Sequence, residues 1–347
     1  MKGLKNATLF MLFAIGVQSL LLAACRQRGN SAGTQASSKD FRVVGYLYDK
    51  TVDIGTLPYQ YLTDINYSFA LPTPDSTGHI MPVPLPDTLS VLVKTAHAHG
   101  VKVFISIGGW DLGDGGGNDT RYEVLANNQN TRTTFVESAM NLVRQFNLDG
   151  VDIDWEYPDP IEPSSTNFVL LIKQLSDSLH AAGKQLSAAI VAFNDLHGYG
   201  IKKEAFQYVD WMNIMAYDYK DEETTPHSPY WVALRSLEYW VTDRGLPKDK
   251  AMLGLNFGFY RYLLRMGADP YSDSYVTHLN FHRNRNMDDA QTNKLDTLYY
   301  TGITTVKEKT RLAKEKGAGI MIWAIASDTT GGYSLLKAIH DAVYSKE

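Results

Sequence analysis

The 347-residue chain has a single cysteine, Cys25. One thiol excludes a disulfide framework and a cysteine-based zinc site within the chain. A basic surplus is also missing, since 33 Lys and Arg face 38 Asp and Glu for a formal net charge of −5. That balance gives no electrostatic reason to bind nucleic acid or an anionic membrane face, so no nucleic-acid partner is expected. No GxGxxG follows the first strand-like run, where Tyr48-Asp49-Lys50 stands instead. The glycine run Gly113–Gly117 lacks the Gly-Lys-Ser/Thr ending of a phosphate cradle, and no HExxH occurs. Dinucleotide, P-loop and zincin fingerprints are therefore absent, and neither a cofactor nor a metal is expected.

What is present belongs to an ordinary folded protein: 44% hydrophobic residues, 20% charged and 12% aromatic. Its 21 Tyr, 13 Phe and 6 Trp are mostly core filling, with a minority left for stacking on ring-shaped ligands.

The N-terminus reads as an address. Two lysines precede an apolar stretch from Ala7 to Ala24, with small residues at its end. The ending Leu22-Ala23-Ala24-Cys25 resembles the lipobox of bacterial lipoproteins, which implies cleavage before Cys25 and acylation of that residue. An uncleaved anchor is the alternative, as the run nearly reaches the ~17 residues of a short span. The sole thiol standing where lipidation requires it favours the lipoprotein. Residues 26–39, RQRGNSAGTQASSK, have no apolar pattern and read as a tether reaching at most ~50 Å. The expected division is a signal over 1–24, a tether over 25–40 and a folded domain over 41–347. The protein is expected to be exported and lipid-anchored to a cell-envelope membrane, with leaflet and oligomeric state open.

From residue 41 short apolar runs alternate with helical stretches. Eight candidate strands are Arg42–Tyr48, Ile65–Ala70, Lys102–Ile107, Gly150–Asp154, Leu186–Ala192, Met212–Tyr217, Met252–Phe257 and Gly319–Ala324. Helix-like segments include Thr88–His99, Arg132–Phe146, Asn167–Ala182, Trp231–Arg244 and Thr305–Lys316. Gly100, Gly183, Gly245 and Gly317 are expected as left-handed helix stops, and Asn147 with Gly150 in the same part. Alternation implies parallel pairing, and eight units close a TIM (β/α)8 barrel; an open doubly wound sheet is the runner-up.

Chemistry concentrates in Asp149-Gly150-Val151-Asp152-Ile153-Asp154-Trp155-Glu156-Tyr157-Pro158. In a strand Asp152, Asp154 and Glu156 share one face, while Val151, Ile153 and Trp155 point the other way. Three aligned carboxyl groups repel one another, and folding alone hardly selects buried acids. Acid clusters also bind cations, yet this spacing lacks the glycine and final glutamate of a calcium loop. A catalytic series is the better reading.

The segment resembles the DxxDxDxE signature of glycoside hydrolase family 18, the chitinases and endo-β-N-acetylglucosaminidases. Ile65-Asn66-Tyr67-Ser68-Phe69-Ala70, Ser106-Ile107-Gly108-Gly109-Trp110, Met215-Ala216-Tyr217-Asp218 and Ile322-Trp323-Ala324 resemble further family segments in the correct order. The resemblance implies Glu156 as the acid that protonates the glycosidic oxygen, with a pKa raised by neighbouring acids and burial. It implies attack by the substrate's own 2-acetamido group instead of a second carboxylate. Asp154 would then stabilise the acetamido N–H, supported by Asp152, with Asp149 deeper in the network. Tyr217, sharing a face with the substrate-binding candidate Met215, would bond the acetamido oxygen, Asp218 would contact the same sugar, and Trp323 would floor the sugar at the cleavage point. The implied partner is an oligo- or polysaccharide containing N-acetylglucosamine.

Tyr46, Phe69 and Trp110 sit at or near strand ends and are expected to line the groove, with core packing an equal reading for Phe69. The Gly113–Gly117 run is expected as a mobile groove edge. His97 and His99 end a helix on the opposite face, where a helix terminus explains them better than a metal. Between Arg261 and Thr301 lie Tyr262, Tyr271, Tyr275, Phe281, Tyr299 and Tyr300, a segment too short for a full α+β lobe. A shallow, open groove is therefore expected. Chitin and N-glycan cores both satisfy the implied mechanism. A non-catalytic, lectin-like lipoprotein is the alternative from another class, and the retained Glu156 argues against it.

Overall fold

The computed structural model describes residues 41–48, 52–112, 119–193, 195–218, 228–257, 260–261, 294–295, 298–299 and 301–344. Its strands in chain order begin with β1 (Arg42–Leu47), β2 (Asp64–Ala70), β3 (Lys102–Gly108), β4 (Gly150–Asp154), β5 (Gln185–Val191) and β6 (Trp211–Met215). They continue with β7 (Ala251–Asn256), the two-residue strands β8 (Tyr260–Arg261), β9 (Lys294–Leu295) and β10 (Leu298–Tyr299), and finally β11 (Gly319–Trp323). Eight of these close a parallel barrel in the order β1-β11-β7-β6-β5-β4-β3-β2. The three short strands form a separate antiparallel sheet, β8-β10-β9.

Helices separate most barrel strands: α1 (Pro86–Ala98), α2 (Thr120–Asn127), α3 (Gln129–Phe146), α4 (Ser164–Ala181), α5 (Asp195–Gly200) and α6 (Tyr230–Leu237). The others are α7 (Ile303–Lys316) and α8 (Leu335–Tyr344). The architecture is a TIM (β/α)8 barrel. One expected helix differs, for α6 stops at Leu237 and continues as a π-helical turn over Glu238–Asp243.

Period-two alternation builds two cores from the same strands. Val43 and Leu47 of β1 pack outward among the helices, while Val44 and Tyr46 point into the barrel with Phe104, Trp211, Met252 and Met321. At the strands' N-terminal end Arg42 Nη1 meets both oxygens of the buried Asp64, at 2.9 and 3.0 Å. The Arg42 guanidinium also lies 4.1 Å from the centre of the Trp211 ring, an attractive cation–π geometry.

Asn147 (φ +53°) and Gly100, Gly183 and Gly245 are left-handed at helix ends, as expected. Gly317 is not: its φ is −133°, ordinary extended backbone. It is needed for space, since a Cβ there would lie 2.8 Å from the Ala251 carbonyl oxygen. Gly150 likewise caps no helix. It opens β4, where a Cβ would lie 2.3 Å from the Phe104 ring.

Candidate active site

Strand parity carries Asp152 and Asp154 into the barrel and sends Val151, Ile153 and Trp155 outward into the helical core. Trp155 is locked there by stacking on Tyr122, with centroids 5.0 Å apart. Glu156 follows the end of β4 and remains buried. The Glu156–Tyr157 peptide is cis, as are Ser68–Phe69 and Trp323–Ala324, all at C-terminal strand ends. The acid row therefore stands at the C-terminal mouth, the end where barrel enzymes keep their active sites.

Asp152 accepts from four side-chain donors. Tyr46 Oη and Ser106 Oγ each donate to its Oδ2 at 2.7 Å. Ser187 Oγ and Asn213 Nδ2 donate to its Oδ1 at 2.6 and 3.1 Å. The register explains part of this shell, because Ser106, Asp152 and Ser187 are direct neighbours across β3, β4 and β5. Trp211 Nε1 donates to Asn213 Oδ1 at 3.1 Å, which turns the Asn213 amide so that its NH2 faces Asp152. Burial raises the Asp152 pKa, and the four hydrogen bonds oppose that rise.

Asp154 has no such shell. Its side chain is buried, and among the described residues its Oδ1 accepts no hydrogen bond. Burial first, then the charges of Glu156 and Asp152, push its pKa well above the usual aspartate value. A carboxyl held this way keeps its proton beside a second acid, which is the pairing proton-transfer chemistry uses. Burial and the Asp152 charge likewise hold the Tyr46 hydroxyl neutral, so that it donates.

The remaining candidates surround this row. Tyr217 lies two residues past β6, half-buried, with its hydroxyl 3.9 Å from Met321 Sδ. Its ring lies against Gly254, where a Cβ would come within 2.9 Å. Asp218 is exposed with φ +59°, and Asn256 Nδ2 donates to it at 3.5 Å. Trp323 ends β11 and stacks on Phe69, with centroids 5.8 Å apart and planes 20° from parallel. Tyr46 and Tyr48 tilt against the same indole at 5.8 and 5.5 Å. Met215, Phe69, Tyr217 and Trp323 all pack on the barrel's inner cluster. Phe69 is thus part of an aromatic floor at the mouth. Trp110 is 51% exposed just beyond β3.

Two glycines tie these parts together. A Cβ on Gly108 would lie 2.0 Å from the Asp154 carbonyl oxygen, and one on Gly109 would lie 2.7 Å from the Phe69 ring. Both residues have positive φ, +117° and +89°.

Asp149 does not join the site, a correction to the sequence reading. It precedes β4 and has the opposite parity from Asp152, so it lies at the strand's N-terminal end. There its Oδ2 accepts from Val103 N and pairs with His97 Nε2, both at 2.8 Å. His99 stacks on Tyr59 with centroids 4.9 Å apart. Ser187, Asn213, Trp211 and Tyr48 were missed. The signal for Ser187 and Asn213 was a polar residue at an inward position of an otherwise apolar strand. Cys25, Gly113–Gly117 and residues 262–293 lie outside the described residues.

A parallel barrel with acids at its C-terminal mouth defines a class of enzyme-like scaffold, and comparison supplies the family. The family model described as Glycosyl hydrolases family 18 matches residues 42–328, and the chain belongs to that family. It is similar to Endochitinase 1 of Metarhizium anisopliae, 28% identical over 295 residues, covering 71% of this chain and 66% of that protein. It is similar to Probable chitinase 2 of Drosophila melanogaster, 32% identical over 180 residues, covering 48% of this chain and 36% of that one. The chain thus spans about a third to two thirds of the length of these curated relatives. Among solved structures, the GH18 chitinase ChiB from the chitin utilization locus of Flavobacterium johnsoniae superposes with a TM-score of 0.73. It is 27% identical, covering 88% of this chain and 94% of that one.

Proposed function

We propose that the chain hydrolyses β-1,4 glycosidic bonds next to N-acetylglucosamine, with retention and with help from the substrate, on chitin or its oligomers. The carrying observation is Asp154: a buried carboxyl with a bare oxygen, set between Glu156 and a fully hydrogen-bonded Asp152. In this reading Glu156 gives its proton to the glycosidic oxygen. The substrate's acetamido oxygen attacks the anomeric carbon as the bond to the leaving sugar breaks. Positive charge grows on the acetamido nitrogen, and Asp154 accepts the N–H bond and stabilises it. Asp152, held by four donors, anchors Asp154. Tyr217 donates to the acetamido oxygen, and Trp323 with Phe69 forms the apolar floor beneath the sugar. Water then attacks the same carbon, and Glu156 recovers a proton from it.

Relatives named as chitinases favour chitin over N-glycan cores. The intact acid row favours an enzyme over a lectin. The test is incubation with chitin oligosaccharides and with a high-mannose glycoprotein, followed by mass spectrometry and early-time NMR. β-Anomeric N-acetylglucosamine oligomers from chitin support the reading. α-Anomers at early time, or cleavage of the glycoprotein alone, would overturn it. A thiazoline mimic of the cyclic intermediate should inhibit strongly.

We also propose that the N-terminal segment is an export and anchoring signal. Cys25 carries lipid, the 25–40 stretch tethers the barrel over 41–347, and the protein acts at a cell-envelope membrane. Cys25→Ser should shift the protein from the membrane to the soluble fraction of the producing cells. The groove is proposed to be open, favouring internal cleavage, and strict release of dimers from chain ends would contradict that.

A further inference from the structure

Lys309 lies in the middle of α7 and is completely buried. Among the described residues no carboxylate pairs with it, and burial pushes its amine down to about 7. Among the described residues its hydrogen bonds go to one residue, the Ser228 carbonyl and, at 2.9 Å, Ser228 Oγ. Ser228 Oγ in turn donates to the Ala216 carbonyl at 2.7 Å. Ser228 and Ala216 are themselves fully buried.

An amine stripped of water is a costly way to fill space, since methionine would occupy a similar volume without that cost. What the amine adds is direction. Ser228 Oγ has one proton; with Lys309 donating to its oxygen, that proton is aimed at Ala216. Ala216 immediately precedes Tyr217, where the chain leaves β6 through two tight turns, Ala216 N to Ile214 O and Tyr217 N to Met215 O, both 2.8 Å. The Ala216 carbonyl is thus a fixed backbone point directly before the tyrosine and the left-handed Asp218.

We propose that Lys309 is a positioning residue: through Ser228 it fixes the Ala216 carbonyl and so sets where the Tyr217 hydroxyl meets the substrate. This rests on the role given to Tyr217 above. A misplacement near 1 Å at a reacting group costs about 10²-fold in rate. Lys309 needs no contact with the sugar to matter on that scale.

The test is a double-mutant cycle with kcat, KM and Tm measured on chitin tetrasaccharide. Lys309→Met should lower kcat by roughly tenfold to a hundredfold, with KM changing less than about threefold. In a Tyr217→Phe background the same substitution should change kcat by less than about twofold, because the hydroxyl it positions is gone. A merely structural lysine would lower Tm and act equally in both backgrounds, and that additivity would overturn the proposal. If Lys309→Met does not fold, Ser228→Ala enters the same cycle with the same expectations. A Tyr217→Phe single variant with wild-type kcat would remove the reading of Tyr217 itself. A slow Tyr217→Phe beside an unimpaired Lys309→Met would remove only the inference about the lysine.

Discussion

At the N-terminal end of the barrel Asp64 is fully buried, and Arg42 and Thr63 Oγ1 (2.6 Å) cover its oxygens. At the C-terminal end Asp154 is only 4% exposed, yet among the described residues its Oδ1 meets no donor and its nearest charges are like ones. The same side chain in the same barrel is compensated at one end and left wanting at the other. A buried acid that folding has satisfied is part of the scaffold. One that folding has left unsatisfied beside other acids at the barrel mouth is the candidate for function. The difference between the two ends separates fold from function here better than burial alone.

Substitutions sharpen that contrast. The largest effect is expected at Glu156, where Glu156→Gln should cut kcat on chitin oligomers by about 10³-fold while calorimetry still detects binding. Asp154→Asn should follow, losing about 10²-fold in kcat with Tm unchanged or raised, since a destabilising carboxyl is removed. Asp64→Asn should do the reverse, costing about 2 kcal/mol in urea denaturation while kcat stays within about twofold. Equal behaviour of the two variants would erase the distinction drawn between the ends.

Proton linkage probes the same comparison more gently. The folded-state pKa of Asp154 lies above its ordinary 3.8, so the native state holds this proton after the unfolded chain has released it. Its contribution to stability is present below pH about 4 and is lost as pH rises through the folded value. Wild type should therefore lose stability relative to Asp154→Asn as urea titrations move upward from pH 4; a gain would show a carboxylate stabilised as the anion. Smallest of all, Asp149→Asn should leave kcat untouched and cost no more than about 1 kcal/mol, because its pairing with His97 is partly solvent-exposed.

Much of this was legible in the residues. The eight strand positions and the facing of Asp152, Asp154 and Glu156 follow from period-two alternation, a local property. Asp149 was misread although the same parity rule separates it from Asp152. It is the family signature, not strand parity, that groups Asp149 with the other acids. Gly317 looked like the other helix stops, but its reason is the Ala251 carbonyl, 66 positions away in the chain. Ser187 and Asn213 show only as polar residues at inward positions, since their partner Asp152 stands on another strand, and Lys309 meets Ser228 from 81 positions away in the chain. Local pattern shows which face a side chain takes; only closure of the barrel shows whom it meets.

The paired glycines at the exit of β3 have one more consequence. A Cβ on Gly108 would meet the Asp154 backbone, and one on Gly109 would meet the Phe69 ring. Any side chain introduced there would push on both halves of the mouth at once. Acid and platform are thus geared to a common pivot. A change that keeps both halves of the mouth in place must therefore fall elsewhere, leaving this pivot bare.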